Sequence, residues 1–576
     1  MSIFFIDPDQ TATPSVSVLI QPYEQDNVIN LSSSNYPGLE VEVQKTLGEP
    51  SGFTMILPPN SPDPNNTIGL NPVGNSAANN LNAQGNLQDL TSLITPMSSV
   101  TIQMTRGQQT YTVFFGIVLS TKETERRSNE RVTRLIEVMG LDMQYFLTNF
   151  AYFTLTWLGT ANNVYSNLGN TAGVTLLQAG LLYGTPEIIA SAFLEKVITP
   201  YLINTSLPVN NSRYSFGQLV EPRFGSFSAG NVTLLFPFIP TFYNAEGAWW
   251  DKFTTFFPYP YYEMFFQTFE QVSVGLTPNI TDVSTGIPAI SSSSSVPPAN
   301  TLTFNNRSFK NMFVARELPF PRLQPVGTSP PYTYTLFMDN WNNLGEYQFN
   351  SGVTPFFEST MEFSAGDARS FYMIDPTTID QLYGGKGALA TFLLLKTAAM
   401  IDPINFSKYG YIPELSTIQW FFSKVNNPTA TLEQFGAVLL LTLGSYYVPL
   451  PLAANGVITL PLTPTILQGN KITCQPFKNG ENWTFYIDSV THHFEFGGRS
   501  MTTLQVSRGL PQSVYANSGG ILAALLQGLV ERANNEYTLI SNPAVEGQTG
   551  LTFAVPGNVN TVFEKFLPAF GSPQGQ

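Results

Sequence analysis

Three residues of this sequence, two histidines and one cysteine, are the best suited to metal or thiol chemistry. His492 and His493 are adjacent, and Cys474 is the single cysteine. Neighbouring side chains on a strand point to opposite faces, so the two histidines could not chelate one ion together. We therefore interpret His492 as a structural histidine beside a turn. One cysteine excludes an intrachain disulfide framework, and no pattern around Cys474 marks a nucleophile.

Motifs for phosphate binding and hydrolysis are weak. The stretch 384–387 reads Gly-Gly-Lys-Gly, but Asp380 stands where a phosphate-binding loop needs its first glycine, and no Ser or Thr follows Lys386. No Gly-x-Ser-x-Gly elbow occurs. Paired carboxylates for sugar hydrolysis stay open, because their pairing is spatial. We predict a protein that is not an enzyme, with no catalytic residue, no metal and no cofactor.

One dense run of charge lies at residues 122–134, in a chain of which only 11% is charged. It holds three acidic and five basic residues, the latter being Lys122, Arg126, Arg127, Arg131 and Arg134. The run could be a solvated hairpin loop, or it could contact another subunit or a tube. A contact with DNA in a lumen is a third, less favoured interpretation.

The overall charge argues against a protein that grips nucleic acid. Lys and Arg number 26 against 40 Asp and Glu, which gives a net charge of −14.

The apolar runs at 389–395 and 437–443 are far shorter than the roughly 20 residues of a membrane span. The first residues lack the pattern of a signal peptide. We expect a soluble, cytoplasmic product without a membrane span, much of whose surface is covered by partners.

Alternating apolar and polar residues predict β-hairpins at 39–57 and 100–118, a strand at 131–138, a short helix at 142–150 and a last hairpin at 470–508. Thr185-Pro186-Glu187 is typical of a helix start, and Pro200 should end that helix. Helical patterns return at 387–400, 431–443 and 520–533.

These elements predict a β-rich α+β fold with two tail-tube-like β-barrel modules and helical and irregular insertions. We place the first module at 1–150, with an exposed loop at 58–88, and the second at 346–511, with a helical insertion at about 376–450. A helical, aromatic-rich middle region occupies 151–345, and a C-terminal helix and tail occupy 512–576.

A weak internal repeat links the two modules. Pro96, the strand Phe115–Val118 and the strand Arg131–Leu141 recur in order as Pro464, Ile487–Val490 and Arg499–Leu510. The spacings agree only approximately, and two unrelated hairpins that share common strand residues are the alternative.

The hairpin at 487–509 resembles the closing hairpin of baseplate hub proteins of tailed phages, the family of the phage T4 hub and of the late-control and tail-hub proteins. The shared pattern is Val-x-His followed by Thr-x-Leu-x-Val-x-Arg-Gly. Residues 260–265 and 315–320 are similar to further hub stretches, and the resemblance covers about half of the chain. The residues to which it gives a structural role are Gly116, Val118, His492, Gly497, Gly498, Thr503, Arg508 and Gly509.

The resemblance implies a homotrimer in the virion, assembled in the host cytoplasm, whose six barrels form a quasi-six-fold ring. Such a ring would join the hexameric tail tube to a central spike, contact baseplate wedge proteins and let DNA pass. A tape-measure protein is a further candidate partner. In the resembling proteins, the loop equivalent to 122–134 lies at the ring interface. A tail adhesin, whose aromatic residues at 236–266 would stack on sugars, and a cell-wall hydrolase are the alternatives.

Overall fold

The computed structural model describes residues 13–24, 28–33, 38–57, 70–71, 94–106, 109–127, 132–149, 151–153, 183–199, 202, 206–209, 212–225, 236–237, 246–272, 302–304, 307–319, 346–348, 358–364, 368–374, 399–401, 403–416, 418, 439, 443–444, 446–447, 450–475 and 481–511. The expected helix at 520–533 and nearly all of the expected loop at 58–88 lie outside these residues.

The strands are β1 (Ser15–Gln21), β2 (Val28–Ser32), β3 (Glu40–Thr46), β4 (Gly52–Leu57), β5 (Leu70–Asn71), β6 (Ser99–Arg106), β7 (Gln109–Arg127), β8 (Val132–Asp142), β9 (Ala151–Phe153), β10 (Tyr183–Gly184), β11 (Ser206–Val209), β12 (Ser212–Ser215), β13 (Val220–Phe224), β14 (Phe236–Pro237), β15 (Glu246–Ala248), β16 (Tyr262–Val272), β17 (Leu302–Phe304), β18 (Arg307–Glu317), β19 (Glu346–Gln348), β20 (Glu358–Phe363), β21 (Phe371–Ile374), β22 (Ala399–Ile401), β23 (Pro413–Ser416), β24 (Ala454–Pro461), β25 (Lys471–Cys474), β26 (Trp483–Glu495) and β27 (Met501–Pro511). The helices are α1 (Gln144–Asn149), α2 (Pro186–Phe193), α3 (Phe216–Leu219), α4 (Trp249–Phe256) and α5 (Pro403–Tyr409), with a π-helical segment at Leu194–Ile198 and a 3-10 turn at Leu450–Leu452.

The expectation of a β-rich chain is confirmed, and the described residues form few helices. A 14-stranded sheet contains the order β20-β24-β27-β26-β3-β4-β8-β7-β6-β1-β2-β5, with β25 beside β26 and β19 beside β25. On β3 and β4 apolar residues alternate with polar ones, so these strands bury one face through Val41, Val43, Phe53 and Met55. Among the described pairings none closes this sheet into a barrel, so the two barrels stay a prediction.

Two groups of five strands in this sheet have the same order. Set 1 runs β3-β4-β8-β7-β6 and set 2 runs β20-β24-β27-β26-β25, with every neighbouring pair antiparallel. In set 1 the strands β6, β7 and β8 follow one another along the chain, as β25, β26 and β27 do in set 2. The repeat read from the sequence therefore corresponds to two similar strand arrangements.

Local geometry gives the alignment between the two sets. Met97 and Gly469 both have positive φ, 67° and 76°. Each amide donates to the next long strand, Met97 to the carbonyl of Val118 and Gly469 to that of Ile487, both at 2.8 Å. A bulge follows Val118 and another follows Ile487. Val118 therefore corresponds to Ile487. The repeat in the sequence matches Phe115 with Ile487 instead, so the two matches differ by three residues.

The middle region contains a four-stranded sheet of β13, β16, β17 and β18. The ring of Phe313 on β18 lies 4.8 Å from that of Phe253 and 5.5 Å from that of Trp250, both on α4. The described aromatic side chains of residues 249–266 are buried, except Tyr259 at 60% exposure. These rings form a core, so they do not provide the sugar-stacking surface that the adhesin alternative needs.

Three expected elements differ in the structure. Thr185 precedes α2 as expected, but its side chain makes no capping hydrogen bond, and the helix continues as a π-helix. Leu70–Asn71, inside the expected loop at 58–88, pairs as β5 with β2. Ala399–Ile401, at the end of an expected helix, is a strand paired with β21. Short strands of this kind are set by distant partners, which local pattern does not reveal.

Candidate assembly interface

The seam between the two sets is the pairing of β3 with β26. Seven residue pairs run antiparallel from Thr46 opposite Ser489 to Glu40 opposite Glu495. The hydroxyls of Thr46 and Ser489 lie 3.2 Å apart, and the amide of Leu47 donates to the carbonyl of Asp488 at 3.0 Å. The seam joins the N-terminal and C-terminal strand sets into one sheet.

His492 lies on the buried face of this seam. It is opposite Val43, its side chain is fully buried, and its Nδ1 lies 3.0 Å from the hydroxyl oxygen of Thr502. Burial, together with the positive charge of Lys45, lowers the pKa of His492 to about 3. The imidazole is therefore neutral near pH 7 and acts as a packed hydrogen-bonding group.

Lys45 is a buried cation in the same layer. It lies opposite Val490, is 2% exposed, and its Nζ has no hydrogen-bond partner among the described residues. Burial lowers its pKa to about 8, although the charge of Asp142 opposes this change. Burial raises the pKa of Asp142 to about 7, against hydrogen bonds from the backbone amides of Ser51 and Gln144.

The opposite face of the seam is exposed and acidic. His493 lies opposite Glu42, with its Nδ1 3.5 Å from a carboxylate oxygen of Glu42 and its Nε2 3.9 Å from one of Glu40. The two histidines therefore point to opposite faces. Within the described residues, no group of three or more His, Cys, Asp and Glu side chains is arranged to hold a metal ion.

A buried ion pair attaches the middle region to set 2. Arg316 on β18 lies opposite Glu263 on β16, and its Nε donates to Glu263 Oε1 at 2.5 Å. Tyr486 on β26 donates its hydroxyl to the same carboxylate at 2.6 Å, and Arg316 also donates to the carbonyl of Gly469. Because each charge has several partners, its desolvation is compensated.

Arg508 makes a second attachment on β27. It is 6% exposed, has a positive φ of 55°, and its guanidinium lies 3.7 Å from the ring centroid of Tyr486. The side chain donates to the carbonyl of Pro319 in the middle region. Arg508 thus links β27 to the middle region.

The charge run at 122–134 is mainly strand. Lys122, Arg126 and Arg127 lie on β7, Arg134 lies on β8 opposite Glu125, and Arg131 lies outside the described residues. Lys122, Arg126, Arg127 and Arg134 therefore lie on the two strands of the β7–β8 hairpin, and both the solvated interpretation and the subunit-contact interpretation stay predictions. Lys122 is exposed, and its Nζ lies 3.6 Å from a carboxylate oxygen of Glu137.

Two strand edges at this site are unpaired in the described part of the chain. β7 pairs with β6 only as far as Ile117, and the amide of Val118 donates to the carbonyl of Ser98. Beyond Val118, no described strand pairs with this edge of β7. β20 pairs with β24 alone. An unpaired edge presents backbone donors and acceptors that can bind another strand.

The remaining residues singled out by the resemblance have local roles. A Cβ on Gly116 would lie 2.2 Å from the carbonyl oxygen of Leu141, so only glycine fits between β7 and β8 there. Gly497, with φ of 73°, turns the hairpin between β26 and β27, and the Gly498 amide donates to the Glu495 carbonyl. Three more residues lie on strands: Val118 is buried before its bulge, Thr503 lies between Thr459 and Thr491, and Gly509 packs against the Phe485 ring.

Sequence reasoning missed two buried charged residues near the seam, Lys45 and Asp142. The alternation on β3 places Lys45 in phase with the buried Val41 and Val43, but lysine is a residue type that is almost never fully buried, so residue type and pattern point in opposite directions. The described helices include none that is long and apolar enough to span a membrane.

No protein-family model matches the sequence, and no curated protein sequence matches it. Among solved structures, the chain is similar to a tail protein from Neisseria meningitidis MC58, at TM-score 0.38 and 10% identity, over 87% of this chain and 98% of that chain. It is also similar to the 43 kDa tail protein of prophage MuSo2 from Shewanella oneidensis, at TM-score 0.36 and 11% identity, over 87% of this chain and 98% of that one.

A third similar structure is an E. coli component of the type VI secretion system, described as similar to the T4 bacteriophage tail proteins gp27 and gp5. Its TM-score is 0.31 with 8% identity, over 83% of this chain and 74% of that one. The similar structures thus include tail proteins, the class to which the sequence resemblance points, together with a type VI secretion component. At these identities and TM-scores, they assign no partner or activity to this chain.

Proposed function

We propose that this chain is the structural hub of a phage or phage-like tail baseplate. Three copies form a ring in which two strand sets per chain give six similar units. One side of the ring docks on the hexameric tail tube and the other holds the central spike. Wedge proteins lie around the ring, and DNA passes through it.

The observation that carries this proposal is the repeated strand order joined by the seam. A trimer that binds a six-fold tube needs two similar surfaces in each chain. Set 1 and set 2 supply the same five-strand order, and the β3·β26 pairing holds them side by side in one sheet. One chain therefore supplies the two similar units that a six-unit ring of three chains requires.

The charge distribution supports passage of DNA rather than binding. The net charge is −14, and the exposed face of the seam carries Glu40, Glu42 and Glu495. Phosphate groups are repelled by such a surface, so DNA would move past it without adhering. A hub that retained DNA would obstruct ejection.

The proposal is tested on the purified full-length chain. Light scattering should give three times the chain mass of 63.4 kDa, and electron microscopy of the particles should show a ring with six similar lobes. A chain that stays monomeric over a wide concentration range contradicts the proposal. So does a closed assembly whose number of lobes is not six.

A further inference from the structure

The two open edges correspond to the two strands that meet in the seam, because β7 matches β26 and β20 matches β3 in the order of the two sets. In set 2, β26 is bonded to β25 along its first part and to β3 along its second part. In set 1, β7 is bonded to β6 along its first part, and its second part has no paired strand on that edge among the described residues. We propose that β20 of a second copy of this chain fills this edge. The inference rests on the proposed function and specifies its subunit contact.

The register follows from matching rows of paired residues across the two sets. A row is a line of residues that lie directly opposite one another on neighbouring strands. The row of set 1 that contains Val118 continues through Gly140, Phe53 and Val43. The row of set 2 that contains Ile487 continues through Val506, Gly456 and Met361. Val43 therefore corresponds to Met361. In the seam, Val43 lies opposite His492, five residues after Ile487. The residue five after Val118 is Glu123, so Met361 of the second copy lies opposite Glu123.

This register brings opposite charges together. Antiparallel pairing places Lys122 opposite Glu362, Thr124 opposite Thr360, and Arg126 opposite Glu358. Lys122 and Glu362 are both exposed in the single chain, and directly opposite residues share a face of the sheet. Lys122 would then lie between Glu137 of its own chain and Glu362 of the neighbour.

The same register covers an apolar side chain. Phe363, at the end of β20, is 54% exposed in the single chain. It would lie opposite Thr121 in the second copy. Two favourable contributions, charge pairing and burial of a ring, therefore select this partner over an unrelated strand.

The contact is head to tail, since β20 and β7 are different surfaces of one chain. Each added copy presents the same two edges, so such contacts give either a closed ring or an open filament. The new junction repeats the geometry of the seam, and six equal junctions, three within chains and three between chains, close a ring of three chains. The edges then disappear, as they do in a closed barrel.

Cysteine cross-linking tests the register. Full-length Thr124→Cys and Thr360→Cys variants are mixed and treated with a short thiol-specific bifunctional reagent; Cys474 is buried and should not compete. We expect a cross-linked dimer from the mixture and from neither variant alone. The double variant Glu42→Cys with His493→Cys is the matched positive control, because these residues are opposite each other in the seam. Replacing Thr360→Cys by Ser359→Cys, which points to the other face, should abolish the product.

Charge exchange tests the energetics. Lys122→Glu should weaken self-association at least about tenfold, because it then faces two carboxylates. Glu362→Lys should weaken it as well, and the double exchange should restore most of the loss. Lys408→Glu, an exposed charge reversal on α5, is the control and should leave association unchanged.

The outcomes separate the two proposals. An oligomer that forms without the Thr124–Thr360 product, while the seam control cross-links, overturns the β20·β7 contact and leaves the ring intact. A double exchange that does not recover association also counts against the contact. A chain that is monomeric throughout overturns both.

Discussion

Replacing the buried Lys45 by methionine should stabilise the protein. Methionine has a similar length and volume, but it carries no charge into the interior of the sheet. Lys45 has no hydrogen-bond partner among the described residues, and His492 beside it is neutral. Substituting a buried charge by an apolar residue of similar volume is often neutral or stabilising.

The magnitude follows from the pKa. At about 1.4 kcal/mol per pH unit, the lowering from 10.5 to about 8 means that burying the ammonium costs about 3 kcal/mol of folding free energy. This net cost already includes the attraction between Lys45 and Asp142, which opposes the lowering of the pKa. We therefore expect Lys45→Met to raise the free energy of unfolding at pH 7 by about 1 to 3 kcal/mol.

The two pKa values of Lys45, folded and unfolded, decide how the cost of burying it changes with pH. The folded pKa lies below the unfolded one, so the cost is present at every pH below about 8. It fades as the pH rises from about 8 to 10.5, where the unfolded chain alone still binds the proton. The advantage of Lys45→Met should accordingly shrink over this range.

The assay is the denaturant midpoint of wild type and variant between pH 6 and pH 10, roughly the range over which the lysine cost changes. Lys408→Met, which removes an exposed lysine, should change stability by less than about 0.5 kcal/mol. A loss of stability in Lys45→Met at pH 7, or a gain that stays constant up to pH 10, would refute the reasoning.

Three further substitutions are expected to act in defined directions. Arg316→Met leaves Glu263 buried without its ion pair, and should lower the unfolding free energy by about 3–5 kcal/mol in denaturant titrations. His492→Gln should flatten the loss of stability as pH falls from 6.5 toward 3, because only the unfolded wild-type chain can protonate this histidine there; an unchanged acid slope would contradict this. Gly116→Ala should destabilise by about 1–3 kcal/mol because its Cβ would collide with a backbone oxygen, whereas Gly52→Ala, whose Cβ meets nothing closer than 3.4 Å, should cost much less.

Local features of the fold could be predicted from the sequence. The alternation at 39–44 and 53–57 corresponds to β3 and β4, and the turn near Arg106 corresponds to the hairpin of β6 and β7. These elements depend on residues only a few positions apart, so the alternation of apolar and polar residues in the sequence is enough to predict them. The repeat was also visible, although the structural match differs by three residues because bulges interrupt the long strands.

The candidate interface could not be read in the same way. The seam pairs strands that are far apart in sequence, and no periodicity in β3 identifies β26 as its partner. Asp142 is buried although its residue type is usually exposed. Lys122 was recognised by its charge, but Glu362, the partner proposed for it in a second copy, is suggested only by matching the two strand sets.

The seam also has a consequence for synthesis of the chain. Thr46 and Ser489, which meet in it, are 443 residues apart. At roughly 5–20 residues per second, β3 emerges about 20 to 90 seconds before its partner β26. Throughout that interval a nascent β3 offers a bare backbone edge to other nascent chains on the same message. Glu40 and Glu42 stand on that edge, and two carboxylates on a short strand discourage premature pairing with an identical neighbour.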